Sequence, residues 1–99
     1  ETLPKTTYQG IRNGEIAFEI YATEDWNKLV IKVMNLLGQN IYSDTKIINP
    51  GSTSYIGIPI SELPDGFYTF IFEFVGEKNY YLPPIIKVII SKGSYVISL

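Results

Sequence analysis

Glu62 and Asp65 lie three residues apart around Leu63-Pro64 and are the carboxylates of this sequence best spaced for chemistry. Paired carboxylates act as acid and base or nucleophile in most glycosidases. The sequence contains no His and no Cys, so the usual constellations of an activated nucleophile and its base cannot form. We therefore predict no catalytic residues, and we interpret both carboxylates as solvated residues of a turn.

Calcium is the metal that this sequence could bind, because Ca²⁺ prefers oxygen ligands such as Asp25, Asp44 or Asp65 with loop carbonyl groups. There is, however, no Asp- or Asn-rich loop at a recognised spacing. The glycines occur singly at turns, which is not the pattern of a phosphate-binding loop. We predict no metal site and no cofactor.

Trp26, Tyr80 and Tyr81 are the aromatic residues that could form a flat platform for stacking a sugar ring. The tyrosine pair precedes Pro83-Pro84, and such a pair can equally be a packed strand end. A carbohydrate-binding module, with a glycan as its partner, is therefore one hypothesis for the function.

The composition of the 99 residues is that of a globular protein, with 45% hydrophobic and 18% charged residues. We predict a single domain over residues 1–99, of which residues 1–6 form a flexible arm. The net charge of -2 without a basic cluster argues against nucleic-acid binding. The apolar run from Ile85 to Ile90 is far shorter than the roughly 20 residues that span a bilayer.

The many aromatic and β-branched residues favour strands over helices. Asn13-Gly14 suits a type I′ hairpin turn, and Pro59 requires an edge position in its strand. Alternation and turn residues predict strands over residues 7–12, 15–21, 40–43, 54–60, 67–75, 80–91 (interrupted by Pro83-Pro84) and 94–99, with residues 44–53 as a loop. Together they predict an all-β fold, an immunoglobulin-like antiparallel β-sandwich of seven to eight strands.

Residues 29–35 fit two structures. As a strand, they point Leu29, Ile31 and Val33 to one side. As a helix, they would belong to a longer element with Thr23 as its N-cap and Gly38 as its C-terminal stop. The local pattern leaves both open, and the β-branched residues favour the strand.

The turn Leu63-Pro64-x-Gly66-x-Tyr68 precedes a strand with one entirely aromatic face. Proline fixes φ, glycine allows a positive φ, and a tyrosine just after such a turn is typical of a sandwich corner, where its phenol bonds to the turn backbone. We predict that Leu63, Pro64, Gly66 and Tyr68 form this structural turn. The aromatic face should lie in the core and consists of Tyr68, Phe70, Phe72 and Phe74.

Two segments, residues 31–42 and 58–68, resemble the small immunoglobulin-like domains of secreted Bacteroidetes proteins. These domains include the C-terminal sorting domains of type IX secretion and stand-alone secreted proteins of unknown function. The resemblance covers residues 15–75 and implies a strand over 29–35 and a secreted, periplasmic or cell-surface location. Residues 93–99 continue beyond the lysine-bearing strand at which sorting domains usually stop, which favours the stand-alone family.

We therefore expect a non-catalytic secreted or cell-envelope β-sandwich domain with an interaction or structural role, and an unidentified protein or glycan as its partner. A carbohydrate-binding module and a type IX sorting domain are the alternatives. The strand from Ile85 to Ile90 is apolar on both faces, so it must be central in a sheet or buried against a partner. It predicts a homo-oligomer formed through this strand.

Overall fold

Two antiparallel β-sheets make up the described part of the chain, which in this computed structural model is residues 2–61, 63–91 and, for the backbone alone, 94–98. Eight of its strands have five residues or more, and β7 has two. In chain order the strands are β1 (Lys5–Arg12), β2 (Glu15–Tyr21), β3 (Lys28–Asn35), β4 (Asn40–Ile47), β5 (Thr53–Pro59), β6 (Gly66–Val75), β7 (Tyr80–Tyr81), β8 (Ile86–Ser91) and β9 (Ser94–Ser98).

The smaller sheet has the strand order β1-β2-β5, and the larger has the order β4-β3-β6-β8-β9, with β7 also bordering β6. The predicted all-β sandwich is confirmed. Asn13 (φ 52°) and Gly14 (φ 76°) form the tight turn between β1 and β2, as a type I′ turn requires. Pro59 ends β5, which lies at a sheet edge and pairs with β2 alone among the described strands, as its missing N–H demands.

The ambiguous segment forms a strand, β3, which pairs with β4 on one side and β6 on the other. Leu29, Ile31 and Val33 are buried, which is the alternation that the strand interpretation predicted. A helix could not pair its backbone N–H and C=O groups with two neighbouring strands at once. The position of this segment within the sheet therefore explains why it forms a strand, which the local pattern did not decide.

Two boundaries predicted from the sequence are wrong. Strand β4 continues to Ile47, where a loop was expected, because it pairs along the whole of β3 down to Lys28. The first strand also begins earlier than the predicted Thr7, at Lys5. Lys5 already pairs with Tyr21 in β1, and the Thr2 carbonyl oxygen accepts a hydrogen bond from Trp26 Nε1 at 3.0 Å.

The core lies between the two sheets and is centred on β6. The aromatic face predicted for this strand is buried as expected, from Tyr68 to Phe74. Phe72 meets Phe18 of β2 edge to face at a centroid distance of 5.1 Å, a favourable geometry for aromatic pairs. Apolar residues of β2, β3, β5 and β8 complete this cluster.

Strand β8 is central in the larger sheet, between β6 and β9, and only one of its faces enters the core. Ile86, Val88 and Ile90 are buried, whereas Ile85 and Ile89 are exposed on the outer face. The Lys92-Gly93 turn predicted after it lies outside the described residues. No helix long and apolar enough to cross a membrane occurs in the described ranges.

Candidate functional site

The two sequence segments singled out above meet at one end of the larger sheet. Asn35, the last residue of β3, is the register partner of Tyr68 near the start of β6. The β3–β4 turn therefore lies beside the corner that precedes β6, and a groove of about 290 Å³ runs between them. We call this surface the hairpin–corner face. The residues that line its groove are Asn35, Leu36, Leu37, Pro64, Asp65, Gly66, Phe67 and Tyr68.

The β3–β4 turn holds two leucines in a fixed position. The Asn35 side-chain oxygen accepts hydrogen bonds from the backbone N–H groups of Leu37 and Gln39, both at 3.0 Å. The Asn35 amide also donates to Gln39 Oε1 at 2.7 Å. Although its backbone is ordered in this way, the turn leaves Leu36 76% exposed and Leu37 82% exposed. The two apolar side chains are displayed to solvent on a pre-organised turn.

The corner is fixed by its own backbone contacts. The Tyr68 hydroxyl donates to the Pro64 carbonyl oxygen, and the Leu63 N–H donates to the Ile60 carbonyl oxygen at 3.0 Å. Gly66 has φ +157°, a value that favours glycine, and a Cβ at this position would be 3.8 Å from the Tyr68 ring. Burial, and secondly the negative charge of Asp65, raise the pKa of Tyr68. The corner is therefore a rigid support for the exposed Phe67.

A second groove, of about 380 Å³, adjoins the first. It shares Asn35, Leu36, Phe67 and Tyr68 with the first groove, and its other lining residues are Thr69, Lys87, Val88 and Ile89. Phe67 is 54% exposed and Ile89 is 40% exposed. Apolar side chains dominate this end of the outer sheet face, and Lys87 is the charged residue among those lining the second groove.

The structure does not bring the three predicted platform residues to one surface. Trp26 is only 1% exposed, because its indole is packed against the rings of Phe74 and Tyr81, so it cannot stack on a sugar. Tyr80 and Tyr81 are adjacent in a strand and therefore point to opposite faces. Tyr81 is packed against the core, while Tyr80 is exposed.

The aspartates considered as calcium ligands are not brought together in the described part of the chain. Glu62 lies outside the described residues. Asp25, Asp44 and Asp65 belong to no group of three potential metal ligands in the described part of the chain. Asp44 instead pairs with Lys46 at 3.1 Å, and the hydrogen bond from Lys46 lowers its pKa.

The exposed apolar residues are what the sequence interpretation missed. The sequence interpretation gave Leu36, Leu37 and Phe67 no functional role. The sequence contained evidence of this exposure, because two leucines between Asn35 and Gly38 cannot both be buried at the tip of a tight hairpin.

The site in this β-sandwich is therefore a corner fixed by hydrogen bonds beside a turn with exposed apolar side chains. Residues 13–83 match the family described as the secretion system C-terminal sorting domain. The chain belongs to this family. Comparison with curated proteins and with solved structures gives no match.

Proposed function

We propose that this chain is a sorting domain that directs the polypeptide carrying it through type IX secretion. The observation that carries the proposal is the family match over residues 13–83, which extends from the β1–β2 turn through β7 and includes both segments of the hairpin–corner face. This function was an alternative on the sequence alone, and the match favours it over an uncharacterised stand-alone domain.

The chain after the matched region is compatible with this function. Strand β8 pairs with the first half of β6 and adds Ile86, Val88 and Ile90 to the core. The segment after Pro83 therefore completes the same sandwich. Residues 93–99 were the reason to favour a stand-alone protein, and the strand described among them, β9, pairs with β8 in the larger sheet.

A sorting domain acts by being recognised, so it needs a folded surface and no catalytic group. The family is one of sorting domains and not of enzymes. It implies an exported protein, secreted or held at the cell surface. We infer that the hydrophobic core has the structural task of presenting one defined surface during export.

A fusion experiment tests the proposal. The 99 residues are placed at the C-terminus of a reporter that is exported to the periplasm in a type IX-competent cell. We expect the reporter outside the cell or on its surface, measured by fractionation and by protease accessibility of intact cells. Retention of the reporter inside the competent cell would contradict a sorting function.

Three controls make the result specific. The reporter without the chain, and the same two parts in the opposite order, should both stay inside, because the family acts at the C-terminus. The original fusion should also stay inside in a cell that lacks the type IX system. Equal export with and without that system would show that the chain is not the signal.

A further inference from the structure

The first hairpin, formed by β1 and β2, turns at the one asparagine of this chain that is followed by glycine. Asn13 is exposed, and Gly14 follows it in the tight turn. The other asparagines precede a larger residue. Asparagine before glycine loses its side-chain amide most readily, because no side chain on the glycine hinders attack by its backbone nitrogen. Asn13 is therefore the residue at which this chain can rearrange its own backbone.

The rearrangement needs no reactant besides water. The Gly14 nitrogen gives up its proton and attacks Cγ of Asn13, which closes a succinimide ring. The Cγ–Nδ2 bond breaks at the same carbon, and ammonia leaves. Water then opens the ring. Attack of water at Cγ gives aspartate, whereas attack at the backbone carbonyl carbon gives isoaspartate, in which the chain continues through Cβ and Cγ. One water is consumed and one ammonia is released, without oxidation or reduction.

The closed turn keeps the two reacting atoms apart. The ring can form only when the Gly14 nitrogen lies on the same side of the Asn13 Cα–C bond as Cβ. Asn13 has φ 52° and Gly14 has φ 76°. These are the values of a type I′ turn, in which ψ of the first turn residue is about +30°. At that ψ, the Gly14 nitrogen points almost directly away from Cβ. The reaction therefore requires the turn to open.

The turn is held closed from within the hairpin and from outside it. Arg12 and Glu15 are register partners on its two sides. The Gly14 carbonyl oxygen accepts a hydrogen bond from the Ile60 N–H at 3.0 Å, and the Ile60 carbonyl oxygen accepts one from the Leu63 N–H. The turn is thus tied to the segment that leads into the corner before β6. Opening it therefore breaks contacts beyond the tip of the hairpin.

We propose that Asn13 is a deamidation site controlled by the first hairpin. Asn13 is preserved while the turn is closed, and it is converted mainly to isoaspartate while the turn is open. Isoaspartate adds one carbon to the backbone and a negative charge, so the turn cannot close again with the Gly14 carbonyl oxygen on the Ile60 N–H. The modification is therefore an irreversible record of the time that the hairpin has spent open.

Mass spectrometry of the purified chain tests the control by the hairpin. Samples are kept at mildly alkaline pH with and without concentrated urea, and the peptide that contains Asn13 is analysed for replacement of –NH2 by –OH. An isoaspartyl methyltransferase distinguishes isoaspartate from aspartate. Conversion in urea should be at least about tenfold faster than in the folded chain, because opening the turn costs free energy. Equal rates with and without urea would overturn the proposal.

Three comparisons make the result specific. In urea, Asn79 should react far more slowly than Asn13, because Tyr80 follows it. Gly14→Ala should slow conversion of Asn13 in urea, since its methyl group hinders the attack. Ile16→Ala removes a fully buried side chain of β2, so it should speed conversion in the folded chain. Equal rates at Asn13 and Asn79 in urea, or an unchanged rate in either variant, would contradict the proposal.

A matched variant tests the effect on the fold. Asn13→Asp adds the charge of the product but keeps the normal backbone, so its thermal midpoint should stay near that of the parent. The isoaspartate form, purified by chromatography from a converted sample, should unfold at least about 5 °C lower. An isoaspartate form as stable as Asn13→Asp would show that the rearranged turn still closes, against the proposal. These measurements need no secretion system, so they are independent of the sorting experiment.

Discussion

The two ends of β6 are built from similar apolar residues but present them in opposite ways. At its end, around Phe74, the rings of Trp26 and Tyr81 close over the strand and leave the indole almost without solvent contact. At its start, the side chains of Leu36, Leu37 and Phe67 remain exposed. With about 3.3 Å per residue, the two ends of this strand are roughly 25–30 Å apart.

The difference lies in what the chain does beside each end. Near Phe74, the segment before β3 crosses the end of β6 and is hydrogen-bonded to it. The Asn27 N–H donates to the Val75 carbonyl oxygen at 2.8 Å, and the Trp26 indole is bonded to the Thr2 carbonyl oxygen. At the other end, no described segment covers the β3–β4 turn. The aromatic end therefore contributes to the stability of the fold, whereas the leucine end leaves its apolar side chains exposed.

The largest expected effect is at the aromatic end. Trp26→Ala removes a fully buried ring from the contact with Phe74 and Tyr81, and should lower the free energy of unfolding by about 3–5 kcal/mol. Trp26→Phe, which retains a ring but loses the bond to Thr2, should cost less. Urea unfolding followed by circular dichroism measures both. A Trp26→Ala variant within about 1 kcal/mol of the parent would show that the indole does not support the core.

An intermediate effect is expected at the corner. Tyr68→Phe keeps the ring but removes the hydrogen bond to Pro64, and should lower the free energy of unfolding by about 0.5–2 kcal/mol at neutral pH. The pKa of Tyr68 is raised in the folded state, so ionisation is easier in the unfolded chain. The parent should therefore lose stability as pH rises above about 10, and Tyr68→Phe should lose less. Parallel urea titrations at pH 8 and at about pH 10.5 measure this, and equal losses in both proteins would contradict it.

The smallest effect on stability is expected at the leucine end. Leu37→Ser changes a side chain that is packed against little in the monomer, so the free energy of unfolding should stay within about 0.5 kcal/mol of the parent value. Thermal unfolding of the variant and the parent, followed by circular dichroism, is the appropriate measurement. A loss above about 2 kcal/mol would mean that Leu37 supports the fold of the single chain. The contrast between the two ends of β6 would then fail.

Much of the fold was predictable because it depends on local chemistry. Asn13-Gly14 determined the first hairpin, the alternation of β6 determined its buried aromatic face, and Pro59 limited β5 to an edge. The candidate site was less predictable. Trp26, Tyr80 and Tyr81 are aromatic, as a sugar-binding platform requires. Side-chain type alone, however, does not reveal which face of a sheet is covered by other segments of the chain.

The sequence by itself determined the all-β class, the corner at Tyr68 and the hairpin at Asn13-Gly14, since turn chemistry and period-two alternation act over a few residues. The tertiary structure alone decided that β4 extends to Ile47, and that Trp26 is buried while Leu37 is exposed. The physical reason is that burial depends on segments distant in sequence, such as Thr2 against Trp26 and β8 against β6. Those long-range contacts determine whether an apolar side chain is buried in the core or exposed to solvent.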